Sequence, residues 1–163
     1  LAGTALTMSL LAEMKKNPRV IAVKNSSMPV QDIQMFQAAG GDDFMVFNGP
    51  DEQFISGRVM GAAGGIGGTY GAMPELFLKA DELVRANKME EARVLQYDIN
   101  EIIYKLCSGH GNMYAMIKEV LRINEGLDIG SVREPLTGLC EADLAIAKEA
   151  AQMVKNAVAK YCA

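Results

Sequence analysis

The sequence predicts an α/β fold in which a short parallel sheet with surrounding helices is followed by an all-helical C-terminal region. Short, continuous apolar runs alternate with helical patterns over residues 1–87, which is typical of parallel strands connected by helices. Over residues 88–163, apolar residues recur only at helical spacing. We therefore expect three strands with their helices in the first part and three helices in the second.

Composition and charge place the chain among globular proteins. Half of the 163 residues are hydrophobic, which is enough for a sizeable core. The net charge is −4 without a basic block, so no nucleic-acid or anionic-membrane partner is expected. No apolar run reaches bilayer length and no signal-peptide pattern opens the sequence, so we expect a cytoplasmic protein. The chain begins with Leu1 rather than methionine, which indicates a fragment or a processed product.

The cysteines and the single histidine do not suggest a metal or a disulfide. Cys107, Cys140 and Cys162 are far apart and lack CxxC spacing, so we expect them to be reduced and structural. His110 lies between two glycines, which is more typical of a turn or a helix start than of a ligand. We expect neither a cofactor nor a metal.

The first strand carries the residue of greatest chemical interest. A helix over residues 6–14, with Thr4 as N-cap, ends at Asn17-Pro18. The following run, Val20-Ile21-Ala22-Val23, predicts a strand buried on both faces, and it stops at Lys24. Loss of hydration there would favour the neutral amine, which can attack a carbonyl to form a Schiff base. The alternative is a lysine that extends from the strand end into water.

Two more strand-and-helix pairs follow. The expected elements are a helix from Pro29 to Gly40, a strand over 44–47, a helix over 51–60, a strand within 61–71 and a helix over 73–86. Proline at a first helical position and glycine at a helix end support the first of these helices. Asp51 and Glu52 occupy the first turn of the next helix, where the helix dipole favours negative charge.

The C-terminal part contains helical patterns only. The expected helices cover residues 88–106, 113–123 and 144–161. Asn87 and Glu90 have the spacing of a capping box for the first of them. Residues 124–139 contain several glycines and a proline, so we expect an irregular crossing segment there.

Three short apolar strands are an improbable free-standing sheet, because two edges would stay unpaired and both faces would need cover. They fit part of a (β/α)₈ TIM barrel, which takes about 250 residues and gathers its functional groups at the C-terminal ends of the strands. Lys24, the pair Asp51 and Glu52, and the pair Gly67 and Gly68 each fall just past a strand end. We expect them on one common face.

Three motifs, VIAVKNSS, FNGPDE and GAAGGIGGTYG, are each separated by one helix. They resemble the last three barrel strands of the N-acetylneuraminate lyase and dihydrodipicolinate synthase family, which are pyruvate-handling class I aldolases. The resemblance covers the whole chain, and three motifs agree in order and spacing. It implies the C-terminal part of a TIM barrel followed by a three-helix region, with Lys24 as the Schiff-base lysine. It also implies a homo-oligomer, a tetramer in this family, or pairing with a missing N-terminal half-barrel.

The NGxDE arrangement is closer to the sialic acid lyases than to the synthases, which implies cleavage of N-acetylneuraminate to pyruvate and N-acetylmannosamine. The resemblance implies that the substrate is bound by Ser26, Gly49, Asp51, Glu52, Ile66, Gly67 and Gly68. For Ser26 the alternative is a helix cap, and for the two carboxylates it is a charged helical turn. Gly68 stands where sialic acid lyases have a serine, which leaves the identity of the 2-keto acid open.

Two family elements do not occur in the sequence, namely a GTTGE-like loop that binds the pyruvate carboxylate and a tyrosine that relays protons. Because positioned acid–base catalysis contributes on the order of 10² to 10⁴ in rate, we expect the chain alone to be a poor catalyst. Two alternatives stay open. One is a related pyruvate-dependent aldolase or a dihydrodipicolinate synthase-like enzyme, and the other is a non-catalytic fragment or scaffold that associates through its open sheet edges.

Overall fold

The structure, a computed structural model, describes residues 5–162, and its elements follow the predicted order. In chain order they are α1 Met8–Met14, β1 Ala22–Asn25, α2 Gln31–Gly40, β2 Met45–Asn48, a 3₁₀ turn Asp51–Gln53, α3 Phe54–Val59, β3 Gly64–Gly65, a 3₁₀ turn Thr69–Gly71, α4 Pro74–Arg85, α5 Met89–Cys107, α6 Met113–Glu125 and α7 Glu141–Tyr161. The chain divides into two compact units, residues 5–67 and 68–162.

The first unit contains a three-stranded parallel sheet in the order β1-β2-β3. Lys24 of β1 lies beside Phe47 of β2, which in turn lies beside Gly64 of β3. Helices α2 and α3 connect the strands, as parallel pairing requires. The predicted parallel strands, including one inside the glycine-rich stretch, are confirmed.

Only one face of this sheet is covered within the first unit. Its core consists of Leu11, Ile33, Phe36, Phe44, Val46 and Ala62, and Val23 packs against it. Because side chains alternate along a strand, Ala22 and Lys24 point to the opposite face from Val23. Lys24 is exposed, and Met45, the register partner of Ala22, is 40% exposed. The prediction that the first strand is buried on both faces is therefore wrong for this chain, because its helices pack on one side only.

The second unit contains α4 to α7, of which α5, α6 and α7 are the three helices predicted for the C-terminal region. Its buried apolar residues lie on one face of each helix and include Leu76 and Leu83 of α4, Leu95, Ile99, Ile102 and Leu106 of α5, Met116 and Val120 of α6, and Ala147, Ala150, Ala151 and Val154 of α7. The small alanines on α7 allow its backbone to approach α5 and α6 closely. Within residues 5–162, no helix is long and apolar enough to cross a bilayer.

The predicted starts of α1, α5 and α7 differ from the structure in how the helix is capped. Thr4 lies outside the described residues, and α1 is capped by Thr7, whose hydroxyl oxygen accepts a hydrogen bond from the Leu10 amide at 3.2 Å. Asn87 has a left-handed backbone with φ of 58°, so it closes α4 instead of capping α5. Helix α7 begins at Glu141 rather than Leu144, with Cys140 as its N-cap. Cysteine is not among the favoured capping residues, so its residue type did not predict this helix start.

Candidate functional site

Lys24 is the penultimate residue of β1, not a residue beyond the strand, since Asn25 ends the strand. Its side chain lies on the uncovered face of the sheet. Lys24 pairs with Phe47 of β2, and Phe47 pairs with Gly64 of β3, which has no side chain. Lys24 is exposed. The expected loss of hydration at a buried strand end is therefore not found within this unit, and the amine is accessible to a small molecule from that face.

A chain of polar contacts fixes the loop that follows Lys24. Asn25 is buried, and its Oδ1 accepts hydrogen bonds from the Ser27 amide at 3.3 Å and from the Ser27 hydroxyl at 2.8 Å. The same hydroxyl lies 2.7 Å from Oδ2 of Asp32 in α2, so its single hydrogen is shared between two acceptors. Ser26, between these residues, is exposed. The loop thus holds Ser27 inward and presents Ser26 outward.

Gly49 brings the second strand end against the first. Its amide donates to the Asn25 carbonyl at 2.8 Å, which continues the β1–β2 ladder past the end of β2. A Cβ atom at this position would lie 2.4 Å from Ser26 Oγ and 2.6 Å from the Asn25 carbonyl oxygen. Glycine is therefore required by close packing. The predicted site residues Ser26 and Gly49 are in contact.

Asp51 and Glu52 lie in the 3₁₀ turn Asp51–Gln53, and the helix after them begins only at Phe54. The prediction of an α-helix over 51–60 is wrong at its start. Asp51 is 6% exposed whereas Glu52 is exposed, and both have interaction partners. The Gln53 side-chain amide donates to the Ser27 carbonyl at 3.4 Å, which ties this turn to the loop after β1. Both carboxylates are thus attached to the same edge of the sheet as Ser26.

Ile66 and Gly67 follow the third strand at the end of the first unit. The Ile66 amide donates to the Asn48 carbonyl at 2.9 Å, and its side chain is 47% exposed. Gly68 opens the second unit, where a Cβ atom would lie 3.1 Å from the Tyr114 hydroxyl oxygen. A serine at position 68 would therefore require Tyr114 to shift by a few tenths of an ångström.

Sequence reasoning did not identify two buried asparagines at this edge. Asn25 and Asn48 are register partners and end their strands. Asn48 is fully buried, and its Nδ2 donates to the Pro50 carbonyl at 2.7 Å. A Cβ atom on Gly57 of α3 would come within 2.3 Å of Asn48 Oδ1, so this glycine admits the asparagine side chain. Both motifs contained a signal for these residues, because Asn25 directly follows Lys24 and Asn48 directly follows Phe47, the last apolar residue of its run.

The structure gathers Lys24, Ser26, Gly49 and Ile66 at the C-terminal edge of one parallel sheet, with Asp51 and Glu52 on the adjoining turn. This edge combines an accessible amine, a hydroxyl and two carboxylates. An amine can form an imine with a ketone, and the oxygen groups can hydrogen-bond a polyhydroxy substrate.

Comparison with known proteins gives a consistent result. Residues 1–157 match the model of the dihydrodipicolinate synthetase family. The chain is 66% identical over 161 residues to the N-acetylneuraminate lyase of Mediterraneibacter gnavus, covering 99% of this chain and 51% of that protein. It is 35% identical over 147 residues to the N-acetylneuraminate lyase of Rhizobium meliloti, covering 90% of this chain and 48% of that protein.

Solved structures agree with the sequence relatives. The wild-type sialic acid aldolase of Ruminococcus gnavus superposes with a TM-score of 0.96 at 66% identity, over 99% of this chain and 54% of that one. A catalytic lysine mutant of the same aldolase matches equally well. The chain thus spans about half the length of the relatives that it matches.

Proposed function

Because the chain belongs to the dihydrodipicolinate synthetase family, we propose that it forms part of a Schiff-base aldolase that cleaves N-acetylneuraminate to pyruvate and N-acetylmannosamine. The observation that carries this proposal is its 66% identity to an N-acetylneuraminate lyase across nearly its whole length. Since it spans about half of that relative, the activity is that of an assembled barrel to which this chain contributes the lysine edge.

Lys24 is the proposed nucleophile. Its neutral amine attacks the ketone carbon of the substrate and water leaves, which gives a protonated imine. The bond between the α and β carbons of the imine then breaks, and its electron pair forms an enamine. The β-hydroxyl loses its proton as it becomes the aldehyde of N-acetylmannosamine. Protonation and hydrolysis of the enamine release pyruvate and restore the amine.

Three features support Lys24 over other lysines of the first unit. It lies on a strand, whereas Lys15 and Lys16 lie at the end of α1. Its side chain is on the uncovered face, and a solved aldolase at 66% identity has a catalytic lysine. Barrel enzymes place their catalytic groups at the C-terminal ends of strands, which is the position of Lys24 in β1.

The remaining site residues are proposed as substrate ligands. The Ser26 hydroxyl, next to Gly49, would contact the substrate near the reacting carbons. Asp51 and Glu52 would accept hydrogen bonds from the hydroxyl groups of the sugar chain. Backbone groups of Ile66, Gly67 and Gly68 would line the pyruvate end, and Gly68 would contribute no side-chain hydroxyl.

The organisation that we propose assigns residues 1–87 to the last three strand–helix units of the barrel and residues 88–163 to a helical region. The uncovered sheet face, on which Lys24 is exposed and Met45 is 40% exposed, supports a partner that completes the barrel. That partner would supply the proton-relaying tyrosine and the carboxylate-binding loop. We also propose that the completed barrel forms a homo-oligomer. A cytoplasmic location is proposed as well, because the three free cysteines fit a reducing compartment.

The experiment is complementation. The chain is co-expressed with the half of the Mediterraneibacter gnavus lyase that it does not match, and cleavage is compared between N-acetylneuraminate and a deoxy 2-keto acid without the N-acetyl group. We expect the higher kcat/KM for N-acetylneuraminate. A complex that forms but cleaves neither compound, and instead condenses pyruvate with aspartate semialdehyde, would contradict the assignment.

A further inference from the structure

The second unit brings together the side chains of His110, Cys140 and Asp143. Along the chain, helix α6 and the segment after it separate His110 from the other two residues. His110 lies in the turn between α5 and α6, Cys140 is the N-cap of α7, and Asp143 lies in the first turn of α7. One donor atom from each residue lies within 4.8 Å of the other two. None of the three takes part in the proposed aldolase chemistry.

Asp143 is a fixed and fully buried carboxylate. Its Oδ2 accepts hydrogen bonds from the amides of Cys140 and Gly111, both at 3.0 Å, and its Oδ1 accepts one from the His110 amide at 2.8 Å. These amides, that of Cys140 most strongly, hold the pKa of Asp143 well below its usual range, so the group is anionic at neutral pH. One lone pair of Oδ1 remains directed at the imidazole.

Both neighbours of His110 face the same ring nitrogen. Asp143 Oδ1 is 3.3 Å and Cys140 Sγ is 4.0 Å from His110 Nδ1. In a cysteine–histidine–aspartate relay the acid and the thiol would contact different nitrogens, because one orients the ring and the other exchanges a proton with it. Here the carboxylate oxygen and the thiol sulfur both lie at the same ring nitrogen, and the three donor atoms are within 4.8 Å of one another, a grouping that a single cation can bind.

The separations can be compared with tetrahedral zinc coordination. Zinc bonds of about 2.0–2.2 Å to nitrogen and oxygen and about 2.3 Å to sulfur place neighbouring ligand atoms about 3.3–3.7 Å apart. The nitrogen–oxygen distance of 3.3 Å already fits, and the nitrogen–sulfur distance of 4.0 Å needs a small inward rotation of the thiol. Such a rotation is open to Cys140, which is exposed, and the His110 side chain is 78% exposed.

We propose that His110 Nδ1, Cys140 Sγ and Asp143 Oδ1 bind one Zn²⁺ ion, with water as the fourth ligand. Binding displaces the thiol proton of Cys140 to solvent and uses the Nδ1 lone pair of the neutral imidazole, with its proton on Nε2. The thiolate also lies at the N-terminus of a 21-residue helix, where negative charge is favoured. The ion joins the α5–α6 turn to the start of α7 and so stabilises the second unit.

The test uses Co²⁺ as a spectroscopic substitute for zinc, titrated into the full chain. We expect one equivalent to give tetrahedral d–d bands and a thiolate-to-cobalt charge-transfer band that zinc then displaces. Cys140→Ser keeps a good helix cap, and His110→Gln keeps the backbone donor to Asp143. Each substitution should remove the charge-transfer band or weaken cobalt binding more than about tenfold. Even substitution of a residue that only hydrogen-bonds a metal ligand typically lowers metal affinity about 10–100-fold.

Cys162→Ser is the matched control, because Cys162 is exposed and lies at the other end of α7. Circular dichroism verifies that each variant is folded. Zinc should raise the melting temperature of the wild-type chain and of Cys162→Ser but not of Cys140→Ser. Absence of the thiolate band in the folded wild-type chain would overturn the proposal, as would an unchanged band and affinity in either Cys140→Ser or His110→Gln. None of these readouts depends on aldolase activity.

Discussion

At the scale of single residues, the position of Lys24 on its strand decides what it can do. Strand alternation directs it away from the core side that Val23 occupies, and no side chain stands at Gly64 to crowd that face. A hydrated ammonium is a weak nucleophile, because the neutral amine is the reactive form. The chemistry proposed for Lys24 would therefore become efficient only once a partner covers the open face.

Neighbouring serines allow structural and functional roles to be separated. Ser27 bonds Asn25 and lies within hydrogen-bond distance of Asp32, whereas Ser26 is exposed beside Gly49. Ser27→Ala should lower the free energy of unfolding by about 1 kcal/mol, because buried acceptors lose a donor. Ser26→Ala should leave stability within about 0.5 kcal/mol but reduce kcat/KM of the complemented enzyme. Urea unfolding and steady-state kinetics measure the two effects, and equal stability losses would contradict the assignment.

The close approach at Gly49 predicts a large effect from one methyl group. Gly49→Ala places a Cβ atom 2.4 Å from Ser26 Oγ and 2.6 Å from the Asn25 carbonyl oxygen. Overpacking of this kind should cost about 1–3 kcal/mol in stability. Gly71→Ala is the control, because nothing lies within 4 Å of its added Cβ atom. Urea midpoints followed by circular dichroism compare the two, and a Gly49→Ala midpoint equal to that of the control would disprove the contact.

The sequence predicted some of these residues and missed others for identifiable reasons. Lys24 could be identified as a candidate from the sequence because this charged residue directly ends an apolar run. Asn25 and Asn48 were not recognised, since their burial follows from hydrogen bonds across a turn and not from hydrophobicity. The grouping of His110 with Cys140 and Asp143 depends on how α5, α6 and α7 pack, so no local spacing could predict it.

At the scale of elements, the presence and order of the helices were predicted well, because apolar residues at helical spacing indicate which helix face is buried. The burial of the strands was harder to predict. A continuous apolar run predicts burial on both faces, whereas Lys24 of β1 is exposed in this chain. Helix starts were least predictable. Asn87 is of a residue type that is favoured at N-caps, but it adopts the left-handed conformation that ends the preceding helix.

Helices α5 and α7 are joined by a polar cluster of Asp98, Lys160 and Tyr161. Asp98 Oδ2 accepts hydrogen bonds from Lys160 at 2.9 Å and from the Tyr161 hydroxyl at 2.7 Å. The Tyr161 hydroxyl and Asp98 raise the pKa of Lys160 from 10.5 to about 12. Burial raises the pKa of Asp98, but the hydrogen bonds from Tyr161 and Lys160 outweigh it and leave the pKa below 3.8.

These shifts predict how stability depends on pH. A raised lysine pKa stabilises the fold below pH 10.5, and this contribution is lost as pH rises through about 12. The lowered pKa of Asp98 stabilises the fold above pH 3.8, and this contribution is lost as pH falls below that value. Lys160→Gln should therefore destabilise at neutral pH, and its difference from wild type should vanish near pH 12.

Lys148→Gln is the control for this measurement, because Lys148 is an exposed residue of the same helix. It should change stability little at any pH. Urea unfolding from pH 3 to 12 gives the profiles. A Lys160→Gln effect that stays constant up to the highest pH would show that the cluster does not contribute through its charges.

At the scale of the whole molecule, the fold matches half of a solved aldolase with a TM-score of 0.96. The three strands, their parallel order and the helical region were all predicted from apolar patterning and motif order. The uncovered face of the sheet and the length of the relatives lead to the same conclusion, that the proposed activity requires a completed barrel. In the proposed function, proton relay and carboxylate binding would come from the completing part.

The most direct measurement is borohydride trapping. The chain, complemented with the half of the Mediterraneibacter gnavus lyase that it does not match, is incubated with pyruvate and reduced, and its peptides are mapped by mass spectrometry. Reduction of an imine should leave a stable pyruvate-derived adduct on Lys24 in the wild-type chain and none at this position in Lys24→Arg. A folded, complemented barrel with an unmodified Lys24, or with the adduct on another lysine, would contradict the assignment of Lys24 as the Schiff-base residue.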